Sequence, residues 1–396
     1  MQTVVASPRP LDGVRVVEMS HVVMGPFCGM VLAQLGAEVI KVEPLDGDPT
    51  RQLKGMAISF FPLFNAGKKS VSLNLKSDAG LDAFHRLLET ADVFIENFKD
   101  GTLDAMGISP SSLSRQYPEL IVASHKGFLS GPYEKRPALD EVVQMMTGLA
   151  VMTGSRENPL RVGASMNDMM AGLFGVVAIL SQLYARGRGK SPANLRIGLF
   201  ENCLLAVAQH VVQFQITGEE PPPLSQRVHA WPVYDRFTTE DGRQIFIAAT
   251  TQGHWRDLCE EFGLYDLQSD RSLQTVVQRV KARDRLVPML EGVFAQYSFD
   301  DLSERLERRN LPFAAINSPA DLLSDQHVLR EGGLIDLVSD QGPTLRCPAL
   351  PIEFDGAGLT DRLEVPSVGE HNAELFFSLG YSDVEIADLT VEAPWA

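Results

Sequence analysis

Cysteine is scarce in this sequence, with four residues among 396. Cys28, Cys203, Cys259 and Cys347 form no C-x-x-C pair, and no histidine stands at zinc-ligand spacing from them. That pattern argues against a disulfide framework and a structural zinc site, so no metal is expected, and it fits a reducing cytoplasm. The glycine fingerprint G-x-G-x-x-G, which lets a pyrophosphate approach the backbone of a dinucleotide fold, does not follow the first apolar strand. The string NAGKKS (Asn65 to Ser70) lacks the first glycine of a Walker loop, carries Lys69 where Ser or Thr is required, and precedes a strand rather than a helix. No H-E-x-x-H, G-x-S-x-G or EF-hand string occurs. A dehydrogenase, a P-loop NTPase, a zinc hydrolase and a serine hydrolase are therefore set aside. Long apolar runs are missing too: Gly25 to Gly36 and Ala171 to Leu183 fall short of the ~20 residues that span a bilayer. The opening MQTVVASPRPLDG has two prolines and no apolar core, so no signal peptide is expected. Basic residues are outnumbered 35 to 51, a formal charge of −16. Nucleic acid and anionic membrane surfaces would be repelled, although a local group of Lys and Arg can still hold a small anion. These absences describe a soluble cytoplasmic protein without nucleic-acid or membrane partners.

What is present is an alternation of strand and helix. VRVVEM (Val14 to Met19) reads as a buried strand, Phe27 to Leu35 as a helix closed by Gly36, and EVIKVE (Glu38 to Glu43) as a second strand. Strand, helix and strand in so short a span make a right-handed βαβ unit with parallel strands. SVSLNL (Ser70 to Leu75), Ala79 to Thr90, DVFIEN (Asp92 to Asn97) and LIVASH (Leu120 to His125) continue the pattern. From Asp140 to Ile216 the chain becomes helical. GEEPPPLSQR (Gly218 to Arg227) holds three consecutive prolines, which can join neither a helix nor a central strand. The expected organisation is a large Rossmann-like domain with a mostly parallel sheet begun by residues 1–205, a linker at 206–227, and a smaller α+β domain at 228–319. Residues 320–396 have no core pattern of their own and return to the large domain or pack on a partner subunit.

Several distant segments resemble the class III CoA-transferases, a family that includes acyl-CoA racemases. They are Leu11 to Pro44, Gly67 to Lys76, DVFIENFKDGTLDAMGI (Asp92 to Ile108), Gly131 to Gly154, GASMNDMMAGLFG (Gly163 to Gly175), LFENCL (Leu199 to Leu204), Leu311 to Gly333 and Val365 to Ser382. The resemblance implies a single aspartate nucleophile, here Asp168. A carboxylate with an ordinary pKa near ~3.9 is ionised at neutral pH and attacks a thioester without a general base. An aspartyl-acyl anhydride and then an aspartyl-CoA thioester would follow, with CoA thioesters as substrates and no permanently bound cofactor. From spacing alone, Ser165-x-x-Asp168 is also a capping box, and the two roles are compatible. Racemases of the family carry a histidine before the Asp of a P-x-x-D segment. Here Pro137-Ala138-Leu139-Asp140 has Leu139 at that place, which favours a transferase. Asp140 either assists in the site or caps the helix beginning at Glu141.

Carried over residue by residue, the resemblance implies CoA contacts at His21, Val22, Val23, Lys41, Leu73, Leu75, Lys76, Asn97 and Phe98. An Arg found after the ENF segment in many relatives is Ala105 here, leaving Lys99 or Lys126 to take its charge; Lys68 and Lys69 fit a solvated pair equally well. A lid loop rich in glycine in formate/oxalate members corresponds to AATTQGHW (Ala248 to Trp255), which has one glycine and should be stiffer. KGFLSGPYEKRPALDE resembles the mesaconyl-CoA and itaconate branch. Its expected partners are an acyl-CoA such as succinyl-CoA and a small C4–C5 dicarboxylic acid, whose far carboxylate would meet Lys126, Arg136, Arg161, Arg196, Arg227 or His229. The family also implies an interlocked homodimer. Intramolecular C1–C4 transfer on mesaconyl-CoA, α-methylacyl-CoA racemisation and non-catalytic acyl-CoA binding remain open readings at this point.

Overall fold

A computed structural model describes residues 9–226, 230–340, 342–359 and 362–390. They separate into two units, one within 1–225 and 327–396 and the other within 226–326. In the larger unit six strands form one parallel sheet: β1 (Arg15–Met19), β2 (Glu38–Glu43), β3 (Lys69–Ser72), β4 (Val93–Glu96), β5 (Ile121–Lys126) and β6 (Leu195–Gly198). Their order is β3-β2-β1-β4-β5-β6. β1 therefore pairs with β2 on one side and β4 on the other, and the chain reverses its direction of travel across the sheet between β1 and β4. In such sheets the loops at the carboxyl ends of those two strands flank a crevice, the usual ligand position.

Local chemistry explains these elements. Every residue of β4 is buried, as expected for an inner strand covered on both faces. Helix Asp78–Glu89 is capped by Ser77, whose hydroxyl accepts from the Gly80 N–H, and it buries Ala83, Phe84, Leu87 and Leu88 along one stripe. Helix Met24–Gln34 is buried nearly all round because it lies between the sheet and helix Met166–Arg186. Gly172 and Gly175 permit that crossing: a Cβ at 172 would lie 2.7 Å from the Met24 carbonyl, and one at 175 would lie 2.3 Å from His125 Nε2.

The return of the C-terminal part has a specific attachment. His371 donates its N–H to Ser70 O and accepts from Ser70 N, while Asn372 Oδ1 accepts from Ser72 N. The free edge of β3 is thus satisfied by residues some 300 positions later. Downstream strands β10 (Leu334–Val338), β11 (Leu345–Pro348) and β12 (Arg362–Glu364) form a small mixed sheet of the same unit. The other unit holds the antiparallel sheet β7 (Val233–Thr238), β8 (Gln244–Ala249) and β9 (Phe313–Ala315) with helices packed on a core of Phe237, Trp255, Leu258 and Phe294.

Two expectations change, and the segment expected to be stiff takes helical form. The stretch assigned as a linker, 206–227, is helical from Ala208 to Thr217, and its break falls at Gly218 and the prolines that follow. The lid-like segment is the start of helix Gln252–Glu261, where Thr251 accepts from His254 N and Gln252 Oε1 accepts from buried Arg279. Helix Met166–Arg186 has 21 residues and is long and apolar enough to cross a bilayer by length and composition. It nevertheless packs Ala171, Gly172, Gly175, Val176 and Ile179 inside the larger unit, as a core helix does.

Candidate active site

Asp168 occupies the first turn of helix Met166–Arg186. Ser165 makes no side-chain cap there. Instead Asp140, buried at the start of helix Asp140–Thr147, reaches across the chain and accepts the Asp168 N–H on Oδ2 at 3.2 Å. The other Asp140 oxygen accepts from Gln144 Nε2. Asp140 is thus the helix's first residue, with Leu139 at the N-cap position, and it caps a different helix from the one expected. Gln144, fully buried, uses Oε1 to accept from Val162 N at 3.0 Å, so one side chain fixes both Asp140 and the loop leading to Asp168. The i,i+4 spacing of Asp140 and Gln144 was the available signal for this pair. Arg161 lies in the same loop, its Nη2 3.6 Å from Asp140 Oδ1 and bonded to the Ala164 carbonyl at 3.2 Å.

The electrostatics correct one expectation. Burial, and secondly the neighbouring Asp140 charge, push the Asp168 carboxyl up to about 7, with Arg161 opposing. Asp168 as a residue is half-buried, and the helix N-terminus does not restore an ordinary carboxylate. At neutral pH Asp168 is divided between its two protonation states, rather than fully ionised.

A second group of residues meets at the crevice between β1 and β4. Asn97 brackets His21, its Oδ1 accepting from His21 N at 3.0 Å and its Nδ2 donating to His21 O at 2.8 Å. The His21 and Phe98 rings are 5.5 Å apart. Val22 is exposed and Val23 buried. Lys126 donates to the Phe98 carbonyl at 2.8 Å and pairs with Glu96 at 2.8 Å and Asp100 at 3.2 Å. Beside it a cleft of about 430 Å³ is lined by Lys99, Leu103, Lys126, Lys135 and Arg196 among others. Lys76 is exposed just beyond β3, with Leu75 half-buried beside it.

Other assigned contacts are not available as expected. Lys41 is fully buried: its ammonium holds Asp48 at 2.8 Å and the Ser20 carbonyl at 2.7 Å, so it cannot face a phosphate. The Leu73 side chain is sealed in the core with Ile40 and Val71. Lys68 is no solvated surface residue, for it lies in the interior and donates to Glu18 at 2.7 Å and the Pro26 carbonyl at 2.9 Å. Lys69 is half-buried between Glu38 and Glu374. Among the carboxylate-binding candidates that lie in the described residues, only Arg161 is in contact with the Asp140–Asp168 pair. Arg136 covers the Tyr133 ring, and Arg196 pairs with Asp100 and Glu134. Arg227 and His229 lie outside the described residues.

A carboxyl with no side-chain partner among the described residues, one like-charged neighbour and one arginine make a set whose chemistry suits a nucleophile. Among the described residues no group of three His, Cys, Asp or Glu is disposed to bind an ion. The family model for CoA-transferase family III matches residues 11–372. The chain belongs to that family. This class III CoA-transferase uses CoA thioesters as substrates. It is 30% identical over 391 residues to the (R)-2-hydroxy-4-methylpentanoate CoA-transferase of Clostridioides difficile, covering 95% of this chain and 97% of that one. Identity is 29% to the succinyl-CoA–D-citramalate CoA-transferase of Chloroflexus aurantiacus, over 96% and 97% of the two chains. It is likewise 29% to the succinyl-CoA:mesaconate CoA-transferase of Haloarcula hispanica, over 93% and 96%. The crystal structure of a CaiB/BaiF family protein from Brucella suis superposes with a TM-score of 0.83 at 32% identity, covering 93% of this chain and 99% of that one.

Proposed function

We propose that this CoA-transferase moves CoA from succinyl-CoA, or a similar dicarboxylic thioester, to a C4–C5 dicarboxylic acid such as itaconate or mesaconate. The observation that carries the reading is the position of Arg161, a cation beside two carboxylates in a loop that leads directly to the nucleophile. In its resting state the group Asp140, Asp168 and Arg161 carries one net negative charge when Asp168 is ionised. Asp168 attacks the thioester carbonyl, the C–S bond breaks, and CoA leaves as thiolate while an aspartyl-acyl anhydride forms. That step removes the Asp168 charge, so an incoming carboxylate meets less repulsion beside Arg161. Returning thiolate converts the anhydride to an aspartyl-CoA thioester and releases the first acid. The acceptor carboxylate attacks that thioester, giving a new anhydride, and thiolate takes the new acyl group from it. Thioester energy is conserved, so the cycle itself consumes no ATP. Leu139, a residue that can carry no proton, is 71% exposed where a racemase base would stand, which favours transfer over racemisation.

The reading includes a cytoplasmic homodimer. Leu173, Phe174 and Val177 form an exposed apolar strip on the Asp168 helix, and Val211, Val212, Phe214 and Ile216 form another on helix Ala208–Thr217. A second copy of the chain would cover both. The test of function is incubation with succinyl-CoA and a panel of free acids, with new CoA esters followed by mass spectrometry. Succinyl-CoA should donate at least tenfold better than acetyl-CoA, and Arg161→Met should reduce that preference. Equal rates from both donors would overturn dicarboxylate specificity.

A further inference from the structure

Val22 has φ of 66°, a left-handed conformation that a β-branched side chain strongly resists. It lies three residues past the end of β1 and two before helix Met24–Gln34, on the rim of the crevice where the sheet order reverses. Its side chain is 38% exposed, so packing of that side chain does not impose the conformation. A continuous set of buried contacts does. The Val22 N–H donates to Thr50 Oγ1 at 3.0 Å, the Thr50 N–H donates to Asp48 Oδ1 at 2.8 Å, and Asp48 Oδ2 faces Lys41 Nζ at 2.8 Å. The same ammonium donates to the Ser20 carbonyl at 2.7 Å, two residues before Val22. Lys41, Asp48 and Thr50 are all buried. Strain of this kind persists only where the surroundings over-determine it.

We propose that Lys41, Asp48 and Thr50 are positioning residues that hold Val22 in its strained conformation, so that the crevice rim is set for the acyl-CoA before it binds. The inference rests on the acyl-CoA reading above and extends it to residues that touch no substrate. Lys41, expected from the sequence to contact CoA, acts on the loop from below through Ser20 and Asp48. A rim already in its bound geometry needs no ordering when the thioester arrives, so the benefit appears in binding and not in the chemical step.

Thr50→Val removes the acceptor while keeping the shape of the side chain. In the full-length enzyme, amide hydrogen exchange in the segment around Val22 should accelerate, and KM for succinyl-CoA should rise about tenfold with kcat within about twofold. Thr50→Ser, which keeps the hydroxyl, should leave both unchanged. Glycine adopts the left-handed conformation unaided, so Val22→Gly combined with Thr50→Val should bring KM back to within about threefold of the natural enzyme. If Thr50→Val alone does not fold, the added Val22→Gly should restore folding. Faster exchange with unchanged KM, or a double variant no better than Thr50→Val, would overturn the proposal. Absence of any succinyl-CoA binding by the unaltered enzyme would instead overturn the acyl-CoA reading, and the exchange measurement would still report whether Thr50 holds the loop.

Discussion

The N–H of Asp168 donates to the carboxylate of Asp140, 28 residues earlier in the chain. One acid therefore anchors the backbone of another while its charge raises the second acid's pKa. Anchoring and repulsion come from the same group, and they can be separated by removing the charge alone.

Asp140→Asn should do so. Without the like charge, the Asp168 carboxyl ionises at lower pH, and the acid limb of the kcat/KM profile should move to lower pH than in the natural enzyme. The amide oxygen that replaces the carboxylate still accepts the Asp168 N–H, so kcat at pH 8 should stay within about threefold. An unmoved acid limb would show that Asp140 does not set the nucleophile's ionisation.

Asp168→Asn should abolish exchange while leaving CoA binding nearly intact, and it should also stabilise the protein. The carboxyl's folded-state pKa, about 7, is above its ordinary 3.8. Between those values the folded state holds a proton that the unfolded state has lost, so stability falls as pH rises from 3.8 to 7. The shift converts to about 4 kcal/mol, and partial solvent access reduces it to ~2 kcal/mol. Denaturant unfolding should show Asp168→Asn more stable than the natural enzyme at pH 8 and equal to it near pH 4. A constant difference across that range would contradict the assignment.

Gly175→Ala tests how the nucleophile is placed. The added methyl would lie 2.3 Å from His125 Nε2 and 3.1 Å from Cys28 Sγ. His125 is buried, with burial holding its pKa down to about 4, and its side chain cannot move outward. The Asp168 helix must then shift, at a cost of ~2–3 kcal/mol. Thermal unfolding should record that loss, and kcat should fall more than succinyl-CoA binding weakens. Retention of full kcat would mean that the helix crossing does not position Asp168.

The sheet was legible because each inner strand is a short β-branched run between turn residues. Glu38 to Glu43 was assigned to the residue. β6 was missed, since LRIG is four residues long with a charged residue inside it and follows a basic loop. The nucleophile comes from the resemblance, because spacing alone favours a helix cap at Asp168. Its setting was not legible, because the Asp140 and Gln144 contacts depend on how a loop folds back. Lys41 and Lys68 show the same limit from the other side. A lysine in a sequence looks solvated, and burial becomes visible only when Glu18 and Asp48 are seen to meet it.

The edge of β3 is closed by His371 and Asn372, which are synthesised long after the strand they complete. During translation the parallel sheet emerges early but keeps an open border, while the unit within 226–326 has its whole core in hand before residue 330. The sheet's border therefore waits on the last part of the chain. The insert can fold first as a unit of its own, and the catalytic sheet is sealed only by the segment that arrives afterwards.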